Sequence, residues 1–254
     1  MPAFADMPAR VVSMNLCTDQ LAMMLAAPGQ LVSISRIALD PLSSAMADVA
    51  VNYPVNSGQA EEIYALSPDL VLGVTYSDPL AVRMLRDLGV EVVQFPIVSH
   101  LADIPGAVRQ MGDVLGREAT AEIIAREVEV RLEAVVVEVG EAAPEAAFFF
   151  ANGYSLGAGT LSHDIVTKAG FANLADRLGR SGGGRLSLEE LLLNRPDILV
   201  SGQPYPTASR SEEIMAHPAL DGIPRVASGP EWVCGTPLTL NALEQMVALR
   251  EALE

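Results

Sequence analysis

Two kinds of hydrophobic pattern alternate along the chain. Short, nearly unbroken apolar runs at Arg10–Met14, Leu31–Ser35, Leu70–Val74, Glu91–Phe95 and Ala146–Ala151 predict strands covered on both faces. Between them, apolar residues recur at spacings of three and four. They predict helices at Gln20–Ala27, Leu80–Leu88, Ser162–Ala169 and Leu238–Leu253, with a short one at Ser211–Ala216 and a brief strand at Arg225–Ala227. Asp103 opens a further helix whose stripe is Ile104, Ala107, Val108, Met111, Val114 and Leu115, and Gly116 ends it. The next helix, Glu118 to Val139, contains no Gly or Pro and would span about 33 Å. Strand and helix alternate as in a parallel sheet with helices on its faces, so the predicted class is α/β.

One stretch occurs twice. Ala60–Gly73 reads AEEIYALSPDLVLG and Leu188–Gly202 reads LEELLLNRPDILVSG, half the chain apart. With Pro68 laid on Pro196, Glu61 meets Glu189, Glu62 meets Glu190, and Asp69 meets Asp197. Each copy predicts a short helix opening on two carboxylates, a stop before proline, and a buried strand. Copies this far apart point to two similarly built lobes, not a short-period solenoid. The predicted division is a lobe over 1–117, a bridging helix over 118–139 and a second lobe over 140–254. The loop Arg36–Pro54, the glycine-rich Asn152–Thr160 and the flexible Ser181–Gly184 are the long connections.

Composition narrows the function. Half of the 254 residues are apolar and 19% are charged, which makes the chain globular. A formal charge of −16 excludes nucleic acid and anionic membrane surfaces as expected partners. No stretch has the length and apolarity of a membrane span. Ala3-Phe4-Ala5 before Asp6 has the small-x-small form of a signal-peptidase site, so Met1–Ala5 reads as the stub of a removed secretion signal; an ordinary cytosolic start is the alternative.

Enzyme signatures are weak. The chain has no G-x-G-x-x-G after a strand, no P-loop lysine, no G-x-S-x-G and no H-E-x-x-H. Gly157-Ala158-Gly159-Thr160 is a fragment of a phosphate loop without its remaining glycine and lysine. An enzyme on a doubly wound fold therefore ranks below a binding protein. The three histidines are scattered, which weighs against a direct zinc or manganese site.

Taken together, RVVSMN at the start, AEEIYALSPDLVLG, GTLSHDIVTKAGFANLA at Gly159–Ala175 and SLEELLLNRPDILV at Ser187–Val200 resemble the periplasmic binding proteins of ABC importers that carry ferric siderophores, haem or vitamin B12. The resemblance runs from Arg10 to Leu253. It implies two Rossmann-like lobes joined by one long helix, the class III architecture, with a ligand in a shallow cleft between them. It implies a monomeric periplasmic protein that delivers a metal chelate, either a ferric siderophore or a corrinoid, to a membrane permease without inserting into the membrane. A haem carrier is the neighbouring alternative. No intrinsic cofactor or catalytic residue is expected. Glu61 and Glu189, each seven residues before the proline, match the family's permease-docking glutamates; favourable placement at a helix N-terminus would also explain them.

Ligands of α/β sheets sit at the carboxyl ends of the strands. That rule selects loops containing Cys17, Arg36 and Tyr76 in the first lobe, and Tyr154, Arg180, Arg185, Tyr205, Trp232 and Cys234 in the second. The aromatics could stack on a flat ligand, with the sole tryptophan, Trp232, foremost, and the arginines could hold an anionic chelate. Each has a plainer role as lobe cover or solvated surface. His100 is the best placed histidine for a metal, with no second ligand in view. Cys17 and Cys234, the only cysteines, could form a disulfide across the cleft, stay buried as thiols, or face the ligand as thiolates.

Overall fold

A computed structural model describes residues 7–135, 137, 143–204 and 210–253. Two units divide the chain. The first holds everything to Val98, Ala102–Val130 and Val233–Pro237; the second holds Ser99–Leu101, Arg131–Trp232 and the chain from Leu238.

The first unit runs β1 (Val11–Ser13), α1 (Leu16–Leu25), β2 (Leu31–Ser35), α2 (Ala47–Ala50), β3 (Val55–Asn56), α3 (Ala60–Ala65), β4 (Leu70–Val74), α4 (Pro79–Asp87), β5 (Glu91–Phe95), α5 (Ile104–Leu115) and most of α6 (Glu118–Ala134), whose residues from Arg131 belong to the second unit. Its sheet has the order β3-β2-β1-β4-β5, with every pair parallel. Ile63 of α3 and Val82 and Leu85 of α4 close over Val12, Val71 and Val92 to form one apolar layer. Helices α1 and α5 touch each other. Gly116 caps α5 in the left-handed region at φ 67°, as its glycine predicts.

The second unit runs β6 (Glu145–Phe148), β7 (Tyr154–Leu156), α7 (Leu161–Lys168), β8 (Ala172–Asn173), α8 (Leu174–Arg177), β9 (Gly183–Arg185), α9 (Leu188–Asn194), β10 (Ile198–Gly202), β11 (Arg225–Ser228) and α10 (Thr239–Ala252). Its main sheet, β11-β10-β6-β8, is also parallel throughout, while β7 and β9 pair antiparallel apart from it. Among the described residues no helix is long and apolar enough to cross a membrane.

The repeated stretch builds the same joint in both units. The residue before each proline takes a left-handed backbone, Ser67 at φ 49° and Arg195 at φ 47°, which ends its helix. The aspartate after each proline then fastens the neighbouring strand. Asp69 accepts from the backbone N–H groups of Ala9 and Arg10 at 2.8 and 3.0 Å, just ahead of β1. Asp197 accepts from the N–H of Glu145 at 2.6 Å, at the start of β6. Each joint sets the parallel register that follows, Val11 opposite Leu70 and Ala146 opposite Ile198.

Several expectations change. Helix α6 ends at Ala134, with Val135 and Val137 outside it; the remaining residues of the predicted bridge, 136, 138 and 139, lie outside the described residues. The two glycine-rich loops contain β7 and β9, which pair with each other. Gly157 sits there because a Cβ would collide with the Arg180 carbonyl, so its glycine serves strand packing and not a phosphate. The Arg36–Pro54 loop holds a 3-10 turn at Arg36–Leu39 and the short α2. The region Ser211–Ala216 forms only a 3-10 turn at Glu213–Ala216.

Candidate functional site

The carboxyl ends of four parallel strands in the first unit open onto a concavity of about 410 Å³. Met14 and Asn15 follow β1, Ser35 and Arg36 end β2, Asn56 to Gly58 end β3, and Tyr76 follows β4. The position is the one the strand-end rule selects. Three of the residues expected there, Cys17, Arg36 and Tyr76, line it together.

Beneath the concavity lies a polar floor. Asn56 is fully buried, and its amide donates to the Ser13 and Ile34 carbonyls at 2.9 Å and to Ser33 Oγ at 3.0 Å. Its Oδ1 accepts from Gly58 N–H at 3.1 Å. One side chain thus ties the ends of β1, β2 and β3. Asp19 on α1 is also buried; its carboxylate accepts from Ser35 N–H at 3.1 Å and from Ser35 Oγ. Burial pushes the Asp19 carboxyl up to about 7, partly offset by hydrogen bonds from Ser13 and Ser35. A floor tied this way holds Arg36 and Ser57 in place without help from a ligand. Neither Asn56 nor Asp19 is a predicted site residue. The only trace of this floor in the sequence is the recurrence of small polar residues where apolar strands end, SMN, SIS and VNS, and it includes Asn56 but not Asp19.

The upper wall is apolar. Ile37, Tyr76 and Val233 are 49%, 60% and 50% exposed, and all three line the concavity. Arg36 is the one cation among the lining residues, and its charge contributes, after Ser57, to holding Glu62 below the usual carboxylate range. A tied polar floor, one guanidinium at the side and an apolar lip suit the periphery of a medium-sized organic ligand.

The cysteines are joined. Cys17 and Cys234 form a disulfide with Cα atoms 5.2 Å apart. Both ends lie in the first unit, because Val233–Pro237 packs there although the chain on either side belongs to the second. The bond therefore does not link one unit to the other, and neither sulfur is a thiolate available to a ligand. It closes 217 positions of sequence, a constraint worth about 5 kcal/mol by chain entropy.

The other expected ligand residues lie elsewhere. Trp232 is buried in the second unit, edge-on to Phe148 with ring centroids 6.1 Å apart, so its faces are not open for stacking. Tyr154 and Arg185 are paired across β7 and β9 and remain exposed. The Arg180 guanidinium is committed to the Arg185 carbonyl and to Glu190. Tyr205 lies outside the described residues. His100 stands 3.3 Å from Asp164 and His163 Nδ1 3.2 Å from the Asn173 amide, while His217 accepts from Ala219 N–H at 3.1 Å. Among the described residues no three His, Cys, Asp or Glu side chains gather as metal ligands.

The paired glutamates divide their work alike in both copies. Glu62 turns back to accept from Ser57 N–H at 2.7 Å and from its hydroxyl, and those bonds lower its pKa. Glu190 accepts from Ser187 N–H at 2.9 Å, closing a capping box, and that bond is the main cause of its lowered pKa. Glu61 and Glu189 are left exposed and project without such a bond.

Residues 11–230 match the family described as periplasmic binding protein. The chain belongs to the periplasmic binding protein family. Its fold is that of solved structures with low sequence identity. The haem-binding protein RhuT from Roseiflexus is 20% identical over 96% of this chain and 99% of its own, with a TM-score of 0.79. The vitamin B12-binding protein BtuF of Vibrio cholerae is 16% identical over 96% and 97%, with a TM-score of 0.73. The Fe3+-hydroxamate transport protein from Saccharomonospora viridis is 20% identical over 98% and 94%, with a TM-score of 0.69. No curated protein matches the chain by sequence. Two α/β units, each with a parallel sheet, are thus the framework of this periplasmic binding protein, and the strand-end concavity lies in the first.

Proposed function

We propose that this periplasmic binding protein is the substrate-capturing component of an ABC importer, that its cargo is a metal chelate, a ferric siderophore or a corrinoid, and that it hands the cargo to a membrane permease. The observation that carries the reading is the concavity at the ends of β1 to β4. Its floor is locked by Asn56, its side carries Arg36, and its lip is Ile37, Tyr76 and Val233. Such a surface grips the organic shell of a chelate through one charge and apolar contact above a fixed polar floor, and asks no ligand bond of the metal. Family membership supports it, as do the haem, B12 and hydroxamate proteins that share the fold. The disulfide suits an oxidising compartment, in keeping with the periplasm.

A haem cargo has one observation in its favour. The Tyr76 phenol is exposed in the concavity and offers the hard oxygen that ferric iron prefers.

Calorimetric titration with a ferric trihydroxamate, cobalamin and haemin tests the reading. One of the three binds, and Arg36→Ala weakens an anionic cargo by about tenfold. Absence of binding by all three would overturn it. A shift of the haem absorbance bands abolished by Tyr76→Phe would select haem.

A further inference from the structure

Within Trp232–Thr236 one side chain alone is exposed. Trp232, Cys234, Gly235 and Thr236 are buried, and Val233 turns out into the concavity opposite Ile37 and Tyr76. Two fastenings hold the segment in this pose. Cys234 is bonded to Cys17, whose N–H donates to the Asn15 side chain at 2.9 Å in the first turn of α1. Gly235 lies so close to Val98 that a Cβ could not be accommodated. The segment is thus a strap drawn onto the first unit, while the residues on both sides of it belong to the second.

We infer that Val233 is a specificity-determining residue of the concavity and that the Cys17–Cys234 disulfide is the positioning element that holds it there. The inference rests on the proposed function, since it assigns a role at that same site. The physical argument is one of fixed geometry. A half-exposed isopropyl group on a mobile strap would give up its contact energy to the cost of ordering the strap on each binding event. Cross-linking the strap to α1 meets that cost at folding, so Val233 presents a ready apolar contact. It favours a ligand whose rim is apolar at that point and disfavours one that places a charge or hydroxyl against it.

A double-mutant cycle on the oxidised full chain tests this, with the same ferric trihydroxamate, cobalamin and haemin as probes. Val233→Asp should weaken the tightest of the three by about tenfold or more. In a Cys17→Ser/Cys234→Ser background the same change should cost only about threefold, because the strap no longer presses its side chain on the ligand. Equal losses in the two backgrounds would overturn the positioning role, and wild-type affinity for Val233→Asp would overturn the inference outright. Should the cysteine-free protein fail to fold by circular dichroism, Val233→Ala and Val233→Leu carry the test. They should shift the affinity for the chelate that binds in opposite senses, and an unchanged affinity would overturn the inference. Binding of none of the three by the wild type would overturn the proposed function and this inference with it; binding indifferent to Val233 would overturn the inference alone.

Discussion

At the scale of single residues, Asp19 makes the sharpest pH prediction. Its carboxyl is buried and raised to about 7, so the folded state holds its proton more tightly than the unfolded chain does. Stability from this group is therefore full below the ordinary carboxylate range and is lost as the pH climbs towards 7. The loss is on the order of 4 kcal/mol at most. Asp19→Asn should flatten that slope. Urea midpoints measured from pH 4.5 to 8 check it, and parallel profiles for wild type and variant would refute the assignment. The sequence places Arg36, Tyr76 and Cys17 together at strand ends, where they line the concavity, because an α/β pattern fixes where strands end. It does not reveal Asp19 or Asn56. Their importance comes from burial and from bonds between strands distant in sequence, and no local pattern encodes either. Trp232 misleads for the opposite reason. A lone aromatic in a Pro- and Gly-flanked loop reads as exposed, yet Phe148, eighty-four positions earlier, covers it.

At the scale of elements, the repeated helix–proline–strand stretch is the most legible part of the chain, and the structure gives its Asp a purpose. Asp69 and Asp197 each receive the backbone N–H that opens the adjacent parallel strand. Hydrogen bonds to a charged acceptor are worth about 1.5–3 kcal/mol, so Asp69→Ala and Asp197→Ala should each destabilise by about that much. Asp→Asn should cost less, since an amide oxygen still accepts. Chemical denaturation distinguishes these outcomes, and an alanine variant as stable as wild type would dismiss the joint. Longer apolar strands such as β2, β4, β5 and β10 are visible in the pattern of positions. β3 and β8, of two residues each, and the glycine-rich β7 and β9 are not. Too few side chains alternate in them to show a period, and pairing rather than propensity makes them strands.

At the scale of the whole molecule, the charge of −16 matters through the few carboxylates that are left unengaged in matching places. Glu62 and Glu190 are spent on their own helix starts, while Glu61 and Glu189, in the same first turns, are not committed to such a cap. Glu61 and Glu189 remain exposed, one on each unit, and we propose that they meet basic docking sites of the permease. Charge pairs between exposed groups act mainly on orientation and encounter rate and weaken with salt. Glu61→Gln/Glu189→Gln should therefore leave chelate affinity and unfolding midpoint unchanged while slowing association with the permease by about tenfold or more at low ionic strength. Each single change should fall between. Raising the salt to about 0.5 M should narrow the gap between wild type and double variant, because the lost interaction is the one that salt already screens. Glu62→Gln and Glu190→Gln should do the reverse, lowering stability through the weakened caps while sparing the association rate. Surface-immobilised permease and stopped-flow association measure the first pair of outcomes, and thermal unfolding the second. An association rate indifferent to Glu61 and Glu189 but sensitive to Glu62 and Glu190 would exchange their roles and remove the docking assignment.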